Sequence, residues 1–152
     1  MSVEARLSEL NITLPEAAAP AANYVPYLVD EKTVYISGQL PMAEGQIAFK
    51  GKVGESISED DAVQAAKLCA INILAQLKAA IGDLEKVEKC LKLEIFVNAT
   101  NDYTDHPKVG NGASNLIVDV LGDAGKHSRF AMGAGSLPFG VPVEIGATFK
   151  IK

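Results

Sequence analysis

The chain has 152 residues, of which 48% are hydrophobic and 22% charged, and its formal net charge is -5. This composition excludes an intrinsically disordered chain and predicts one domain over residues 1–152, in which 1–20 form an N-terminal helix and connector. The acidic balance excludes a general attraction to nucleic acid or anionic membrane, and no apolar run reaches the roughly 18 residues of a membrane span. No basic leader precedes an apolar run at the N-terminus, so we expect a cytoplasmic protein.

The N-terminal residues predict a short helix followed by a connector. Val3, Leu7 and Leu10 recur at helical spacing, and Pro15 prevents the helix from continuing. The stretch 16–22 is rich in alanine and proline, which is typical of an extended connector rather than of a linker between domains.

A β-hairpin is predicted next. Two β-prone runs, Tyr24–Asp30 and Thr33–Gln39, are separated by a short polar turn. The second run ends in SGQLP at Ser37–Pro41, where glycine and proline stop the strand and leave backbone amides near its end for a ligand. A short edge strand is expected over Gln46–Lys50.

One long helix is predicted over Glu59–Ile81. Ser58 is a suitable N-cap, three acidic residues occupy the positive end of the helix dipole, and Gly82 follows the last turn. Apolar residues recur along this segment at three- and four-residue steps, which predicts that the helix covers a sheet.

A strand and a second helix follow. Residues 87–97 alternate in polarity and predict a strand. The side chains expected to face inward are Leu91, Leu93, Ile95 and Val97. The polar stretch 98–107 indicates a loop, and residues 108–121 predict a helix that Gly122 and Gly125 end.

The C-terminal tail predicts two strands that each place one ionisable group opposite an apolar face. In the first strand the alternation sets Phe130 against Arg129, so Arg129 is expected to point away from the core. In residues 141–151 every second residue is apolar, and Glu144 lies on the opposite face. If the two strands pair across the intervening turn, a guanidinium and a carboxylate lie on one side of one sheet, which is an arrangement that holds a small polar ligand.

The order of elements predicts an α+β sandwich with both helices on one face of the sheet. The opposite face, here called the open face, is too apolar or too small in its side chains for contact with water. The residues assigned to it are Tyr35, Cys90, Phe96, Ala131, Gly133 and Gly146. We therefore expect another copy of the chain to pack there, which predicts a homo-oligomer.

Three motifs in the chain point to a known family. They are SGQLP at Ser37–Pro41, Arg129 followed nine residues on by Pro138, and VEI at Val143–Ile145. With these motifs the chain, from about residue 21 to its C-terminus, resembles a divergent subgroup of the Rid/YjgF family of reactive intermediate deaminases, also known as endoribonuclease L-PSP-like proteins. The resemblance implies a chorismate-mutase-like (ferredoxin-like) sandwich, a mixed sheet, and a homotrimeric barrel with three ligand sites in clefts between subunits.

Carried over residue by residue, the resemblance also implies roles. Arg129 binds the carboxylate of an imine or enamine derived from an amino acid, because a guanidinium fork matches a carboxylate. Glu144 orients or activates the hydrolytic water, and Tyr24, Ser37 and Gly38 line the same cleft. The implied reaction, of the 2-iminobutanoate/2-iminopropanoate deaminase type, is hydrolysis of a 2-imino acid to a 2-keto acid and ammonia, with no cofactor.

Two positions differ from the archetypal members of that family. Pro107 stands where they carry an asparagine, and Ala131 stands where many carry a cysteine; the segment 108–128 is also longer. These differences leave open a non-catalytic trimer that binds a small carboxylate as a sensor or scavenger. A ribonuclease is the third and least favoured alternative, because the chain is acidic and has no tryptophan.

Structural interpretations remain open for several residues. One alternative is that Glu144 serves only as the ion-pair partner of Arg129. Another is that Tyr24 is a packing residue at a subunit boundary. Cys69 and Cys90 are expected to be reduced core residues, and the spacing of His, Cys and acidic residues predicts no metal site. The two histidines are interpreted as loop or strand-edge residues.

Overall fold

The computed structural model describes residues 1–20 and 22–152, which form three α-helices and seven strands. The helices are α1 (Val3–Glu9), α2 (Glu59–Ile81) and α3 (His106–Leu121). The strands are β1 (Tyr27–Asp30), β2 (Thr33–Gln39), β3 (Met42–Ala43), β4 (Gln46–Ile47), β5 (Val87–Asn98), β6 (Ser128–Ala134) and β7 (Val143–Ile151). Ala21, within the predicted connector 16–22, lies outside the described residues.

Five of the strands form the main sheet, in the order β1-β2-β7-β5-β6, and β3 pairs with β4 in a separate hairpin. The β5–β6 pair is parallel, whereas the other pairs in the main sheet are antiparallel. Helix α2 packs beside α3, and both helices contact the same face of the sheet. The predicted α+β sandwich, with a mixed sheet and both helices on one face, is therefore confirmed.

The long helix α2 has the limits that the sequence predicts, because both of its ends are marked. The Ser58 hydroxyl accepts a hydrogen bond from the Asp61 amide at 3.1 Å, and Gly82 follows the helix with a φ of 82°. The short helix α1 is also present as predicted, and it buries Val3 and Leu7. Fully buried residues of α2 recur at helical spacing, namely Ala62, Ala66, Cys69, Ile73 and Leu77.

Strand β5 departs from simple alternation. Its pairing with β7 contains two register shifts, and each shift turns the following side chains to the other face. As a result Cys90 is 2% exposed and Leu91 is 37% exposed, so the prediction that Leu91 faces inward was wrong. Beyond the shifts the predicted alternation is confirmed, with three fully buried residues, Leu93, Ile95 and Val97.

Three residues assigned to the open face lie on the helix side instead. Cys90 is in the core, and the β5–β6 register pairs Ala131 with Ile95 and Gly133 with Val97. Because paired residues point to the same face, Ala131 and Gly133 face the helices. The large apolar residues that do lie on the open face are Leu28, Tyr35, Phe96, Phe130 and Met132. The open face is thus apolar as predicted, but through partly different residues.

Both cysteines are buried free thiols, as predicted. Burial raises the pKa of the Cys90 thiol to about 12 and also raises that of Cys69, so both remain protonated and unreactive at neutral pH. Across residues 1–20 and 22–152, no helix combines the length and the apolar character needed to cross a membrane.

Helix α3 starts two residues earlier than predicted and lies very close to α2. The close approach depends on Gly112, where a Cβ atom would lie 2.3 Å from the backbone carbonyl oxygen of Val63. Glycine lowers the helix propensity of α3, but because it has no Cβ atom it allows the backbones of the two helices to come into contact.

Replacing Gly112 by alanine tests this contact. Alanine is the better helix former by about 1 kcal/mol, but its Cβ would overlap the Val63 carbonyl and force the helices apart. We expect the free energy of unfolding, measured by urea denaturation, to fall by about 2 kcal/mol. Asn115→Ala, at an exposed position of the same helix, is the control and should change it by less than about 0.5 kcal/mol. A Gly112→Ala protein as stable as the wild type would contradict the close packing.

Candidate functional site

A cavity of about 640 Å³ lies at the end of β2 and is here called the cleft. Its walls come from residues 18–20, from the last residues of β2, from the β3–β4 hairpin and from the segment that leads into β7. Four of the five predicted site residues line it together, namely Tyr24, Ser37, Gly38 and Glu144. The cleft is therefore the site at which most of the predicted residues meet.

The SGQLP motif shapes the cleft through an irregularity in β2. The pairing of β2 with β7 shifts register between Ile36 and Gln39, so the intervening residues bulge from the ladder. The Ser37 hydroxyl donates to the Val25 carbonyl at 2.7 Å, and the Ser37 amide donates to the carbonyl of residue 26 at 3.0 Å. The Ser37 amide is therefore occupied, although backbone amides near the end of β2 were expected to be free for a ligand. Ser37 instead holds the preceding segment in place.

Glu144 lies on the open face at the mouth of this bulge. A Cβ atom at Gly38 would lie 3.1 to 3.2 Å from the carboxyl group and the γ-carbon of Glu144, so only glycine leaves the carboxylate its present position. Glu144 is half-buried, and burial raises the pKa of its carboxyl group above the ordinary value. Among the described residues it has no hydrogen-bond or ion-pair partner, which leaves the carboxylate free to exchange protons.

Arg129 lies on the other face of the sheet, so the prediction that it points away from the core and shares a side with Glu144 was wrong. Strand β5 runs between β6 and β7 and pairs with both. Strand β5 pairs Arg129 with Leu93, a fully buried residue on the helix side of the sheet. It pairs Glu144 with Phe96, which lies on the open face. Within one chain the guanidinium and the carboxylate are therefore separated by the sheet.

The guanidinium of Arg129 lies along the N-terminal half of α3. Its Nη1 donates to the Ser114 hydroxyl at 2.9 Å, and its Nη2 donates to the Pro107 carbonyl at 3.3 Å. A Cβ atom at Gly110 would lie 3.1 Å from Nη1, so glycine at this position admits the guanidinium. Pro107, which stands where the resembling family has asparagine, thus contributes a backbone carbonyl rather than a side chain.

Ser114 also contacts His127, a connection that was not predicted from the sequence. The Ser114 oxygen is 2.9 Å from His127 Nε2, and His127 Nδ1 is 2.6 Å from the Gly125 carbonyl oxygen. No local pattern identifies the pair, because the two residues are on different elements and thirteen positions apart. The spacing of His127 two positions before Arg129 was the one available signal, since both side chains then point to the same side of an extended chain.

His106, predicted to lie in a loop, is the first residue of α3 and faces the small residues of β6. A Cβ atom at Gly133 would lie 2.9 Å from His106 Nε2. A polar cavity of about 240 Å³ lies beside the ring, lined also by residues 99–101 and 134–135. Within the described part of the chain, no three His, Cys, Asp or Glu side chains come together as they would to hold a metal ion.

Phe139 is a cleft residue that was not predicted from the sequence. Its φ is 58°, a left-handed conformation that is costly for an aromatic residue, and its side chain is 64% exposed at the cleft. The Gly140 amide donates to the Leu137 carbonyl at 3.1 Å, which makes Phe139 the third residue of a tight turn that ordinarily has glycine there. Such strained residues concentrate at binding sites.

The raised pKa of Glu144 gives the stability of the protein a pH dependence of defined sign. Because its pKa is higher in the folded than in the unfolded state, ionised Glu144 lowers the free energy of unfolding above the folded-state pKa. This penalty disappears as pH falls below the ordinary carboxyl value. We expect Glu144→Gln to be more stable than the wild type at neutral pH in urea denaturation, with the difference shrinking in acid.

Glu94→Gln is the matched control, because Glu94 lies on the same face of the neighbouring strand β5. It reports the effect of removing one negative charge. Equal pH dependence in the two variants would show that net charge, rather than the burial of Glu144, determines the effect.

Comparison with known proteins adds independent information. The sequence model of the family described as "YjgF/chorismate mutase-like, putative endoribonuclease" matches residues 4–143. Protein TCP17 of Trypanosoma cruzi is 41% identical over 150 residues, which cover 98% of this chain and 94% of that protein.

Two solved structures share the whole fold. Atu1372 of Agrobacterium tumefaciens, a protein with unknown function, is 49% identical with a TM-score of 0.93, over 99% of this chain and 92% of that one. A "putative endoribonuclease" of Shewanella oneidensis is 30% identical with a TM-score of 0.96, over 99% of this chain and 100% of that one.

Proposed function

Because the chain belongs to the YjgF/chorismate mutase-like family, we propose that it hydrolyses small 2-imino acids or their enamines to a 2-keto acid and ammonia, without a cofactor. The observation that carries the proposal is Glu144, a half-buried carboxylate with a raised pKa that lines a cavity of about 640 Å³. A carboxyl group with a pKa shifted toward neutrality is suited to accept and return a proton within one turnover, which imine hydrolysis requires.

The proposed reaction uses one water molecule and one carboxylate. Glu144 takes a proton from the water as the water oxygen bonds to the imine carbon, and transfers it to the imine nitrogen, which gives a carbinolamine with one hydroxyl and one amino group. Glu144 then takes the hydroxyl proton as the carbonyl forms and the carbon–nitrogen bond breaks, and it passes this proton to the leaving nitrogen, so that ammonia and a 2-keto acid are released. Tyr24, Ser37 and Gly38 line the cleft in which this substrate is held.

The substrate carboxylate is assigned to Arg129, which requires a second copy of the chain. Arg129 and Glu144 are on opposite faces of one sheet, so one chain cannot apply both to one small molecule. In the proposed homotrimer, Arg129 of one subunit reaches the cleft of its neighbour. The apolar open face supports this assembly, because Leu28, Tyr35 and Met132 are between 46% and 56% exposed in the single chain.

Light scattering tests the assembly. We expect the mass of three chains for the wild type and of one chain for Met132→Glu, which places a charge on the apolar open face. Leu10→Glu is the control, because Leu10 is similarly exposed, at 40%, but lies at the end of α1 and away from the open face. A wild-type mass of one chain would exclude the trimer.

The activity is tested by ammonia release from imines that an amino-acid oxidase generates in the assay. We expect kcat/KM to fall by about 100-fold or more in Arg129→Ala, because a charge-assisted fork to the substrate carboxylate is lost. Arg129→Lys keeps the charge without the planar fork and should recover only part of this loss. A wild-type protein that does not accelerate ammonia release over the spontaneous rate would rule out the deaminase.

A second candidate is a trimer that binds a small carboxylate without turnover. The observation that favours it is the chemistry next to Arg129, where Ala131 offers no proton donor and Pro107 offers only its carbonyl. Calorimetry with 2-oxobutanoate would select this function if binding depended on Arg129 and no imine were turned over. The ribonuclease is least supported, because the chain has a net charge of -5. Nuclease activity that survives rigorous purification would reverse that order.

A further inference from the structure

We propose that Ser114 and His127 are positioning residues that hold the Arg129 guanidinium ready for the substrate carboxylate. The proposal rests on the proposed role of Arg129 as the carboxylate anchor. It concerns the hydrogen-bonded series from Arg129 through Ser114 and His127 to the Gly125 carbonyl, here called the relay.

With a neutral His127 imidazole, the relay has one consistent direction of donation. A carbonyl oxygen only accepts, so His127 Nδ1, 2.6 Å from the Gly125 carbonyl, carries the hydrogen. A neutral imidazole then has an unprotonated Nε2, which accepts from the Ser114 hydroxyl at 2.9 Å. The Ser114 oxygen in turn accepts from Arg129 Nη1 at 2.9 Å. Each group therefore fixes the orientation of the next, ending at the guanidinium.

The relay leaves the guanidinium the donors that a ligand needs. Arginine has five N–H donors, and in the described residues one binds Ser114 and one binds the Pro107 carbonyl. Three donors remain, which suffice for the two parallel bonds of a carboxylate fork. Ser114 and Pro107 are two turns apart on α3, with Gly110 between them against Nη1, so the two contacts set the plane of the guanidinium as well as its position.

Rigid elements hold the far end of the relay. Gly125 packs so tightly on α3 that a Cβ atom there would lie 2.4 Å from the Ile117 carbonyl oxygen. His127 thus connects the turn that follows α3 to Ser114 within α3, immediately before β6 begins. A guanidinium ordered in advance loses less conformational freedom when the carboxylate binds, which raises affinity without a new contact.

Calorimetry with 2-oxobutanoate tests the relay. Ser114→Ala should weaken binding about tenfold, the effect of one lost hydrogen bond to a charged group, whereas Ser114→Thr keeps the hydroxyl and should restore it. His127→Gln offers an acceptor near the place of Nε2, and this variant should bind 2-oxobutanoate more tightly than His127→Asn, which keeps only the donor to the Gly125 carbonyl. Asn115→Ala, next to Ser114 on an exposed position, is the control and should bind as the wild type does.

Side-chain ¹⁵N NMR of the protein without ligand provides a second readout that is independent of binding. We expect His127 to show a protonated Nδ1 and an unprotonated Nε2. The Arg129 Nη signals should be separate in the wild type, because rotation of the guanidinium is restricted, and should merge in Ser114→Ala. Covalent labelling of Ser114 by a fluorophosphonate would instead identify the Ser114–His127 pair as a nucleophile and its base, and would overturn the proposal.

The outcomes separate this proposal from the proposed function. If Arg129→Ala abolishes 2-oxobutanoate binding and Ser114→Ala binds like the wild type, the relay is overturned and the anchor role of Arg129 stands. If the wild type binds no 2-keto acid, the anchor role fails, and the NMR readout alone decides whether Ser114 and His127 order the guanidinium. An unprotonated Nδ1 would overturn the relay in either case.

Discussion

The arrangement of this protein depends on the pairing of β5 with β6 on one side and β7 on the other. Parallel pairing with β6 and antiparallel pairing with β7 fix both registers, and with them the face on which every side chain of the two C-terminal strands lies. The fully buried residues of β5 face the helix layer, in which α3 contacts β5 and β6 while α2 contacts β7 and β2. The two registers of β5 therefore determine that Arg129 lies below α3 and that Glu144 lies on the open face.

Much of the fold was predictable where local signals agree. Helix α2 has a cap, an acidic first turn, a continuous apolar stripe and a terminating glycine, and all of them define the same limits. Strand β7 has an unbroken apolar alternation, and its buried face was predicted correctly. In β5 the register shifts could not be predicted, because they arise from pairing with a strand about sixty residues away in the chain and leave no local pattern. The sequence therefore defined elements better than it defined their faces.

The candidate site was predicted in part for the same reason. Tyr24, Ser37, Gly38 and Glu144 do line one cleft. Arg129 was assigned to the wrong face because its neighbours Phe130 and Met132 are large and apolar, which ordinarily marks the core side of a strand. Here the space beside α3 admits only small residues next to Arg129, so the apolar residues lie on the open face. The Ser114–His127 contact depends on tertiary packing, and the spacing of His127 and Arg129 was its only sign in the sequence.

The sheet separates Arg129 from Glu144 within one chain. On the proposed assembly, a folded single chain therefore contains both residues but cannot bring them to the same substrate molecule. Activity per chain would then follow the fraction of assembled protein and decline on dilution toward the dissociation constant of the trimer. On that assembly, the proposed activity would rise more steeply than in proportion to protein concentration wherever that concentration is below the dissociation constant of the trimer.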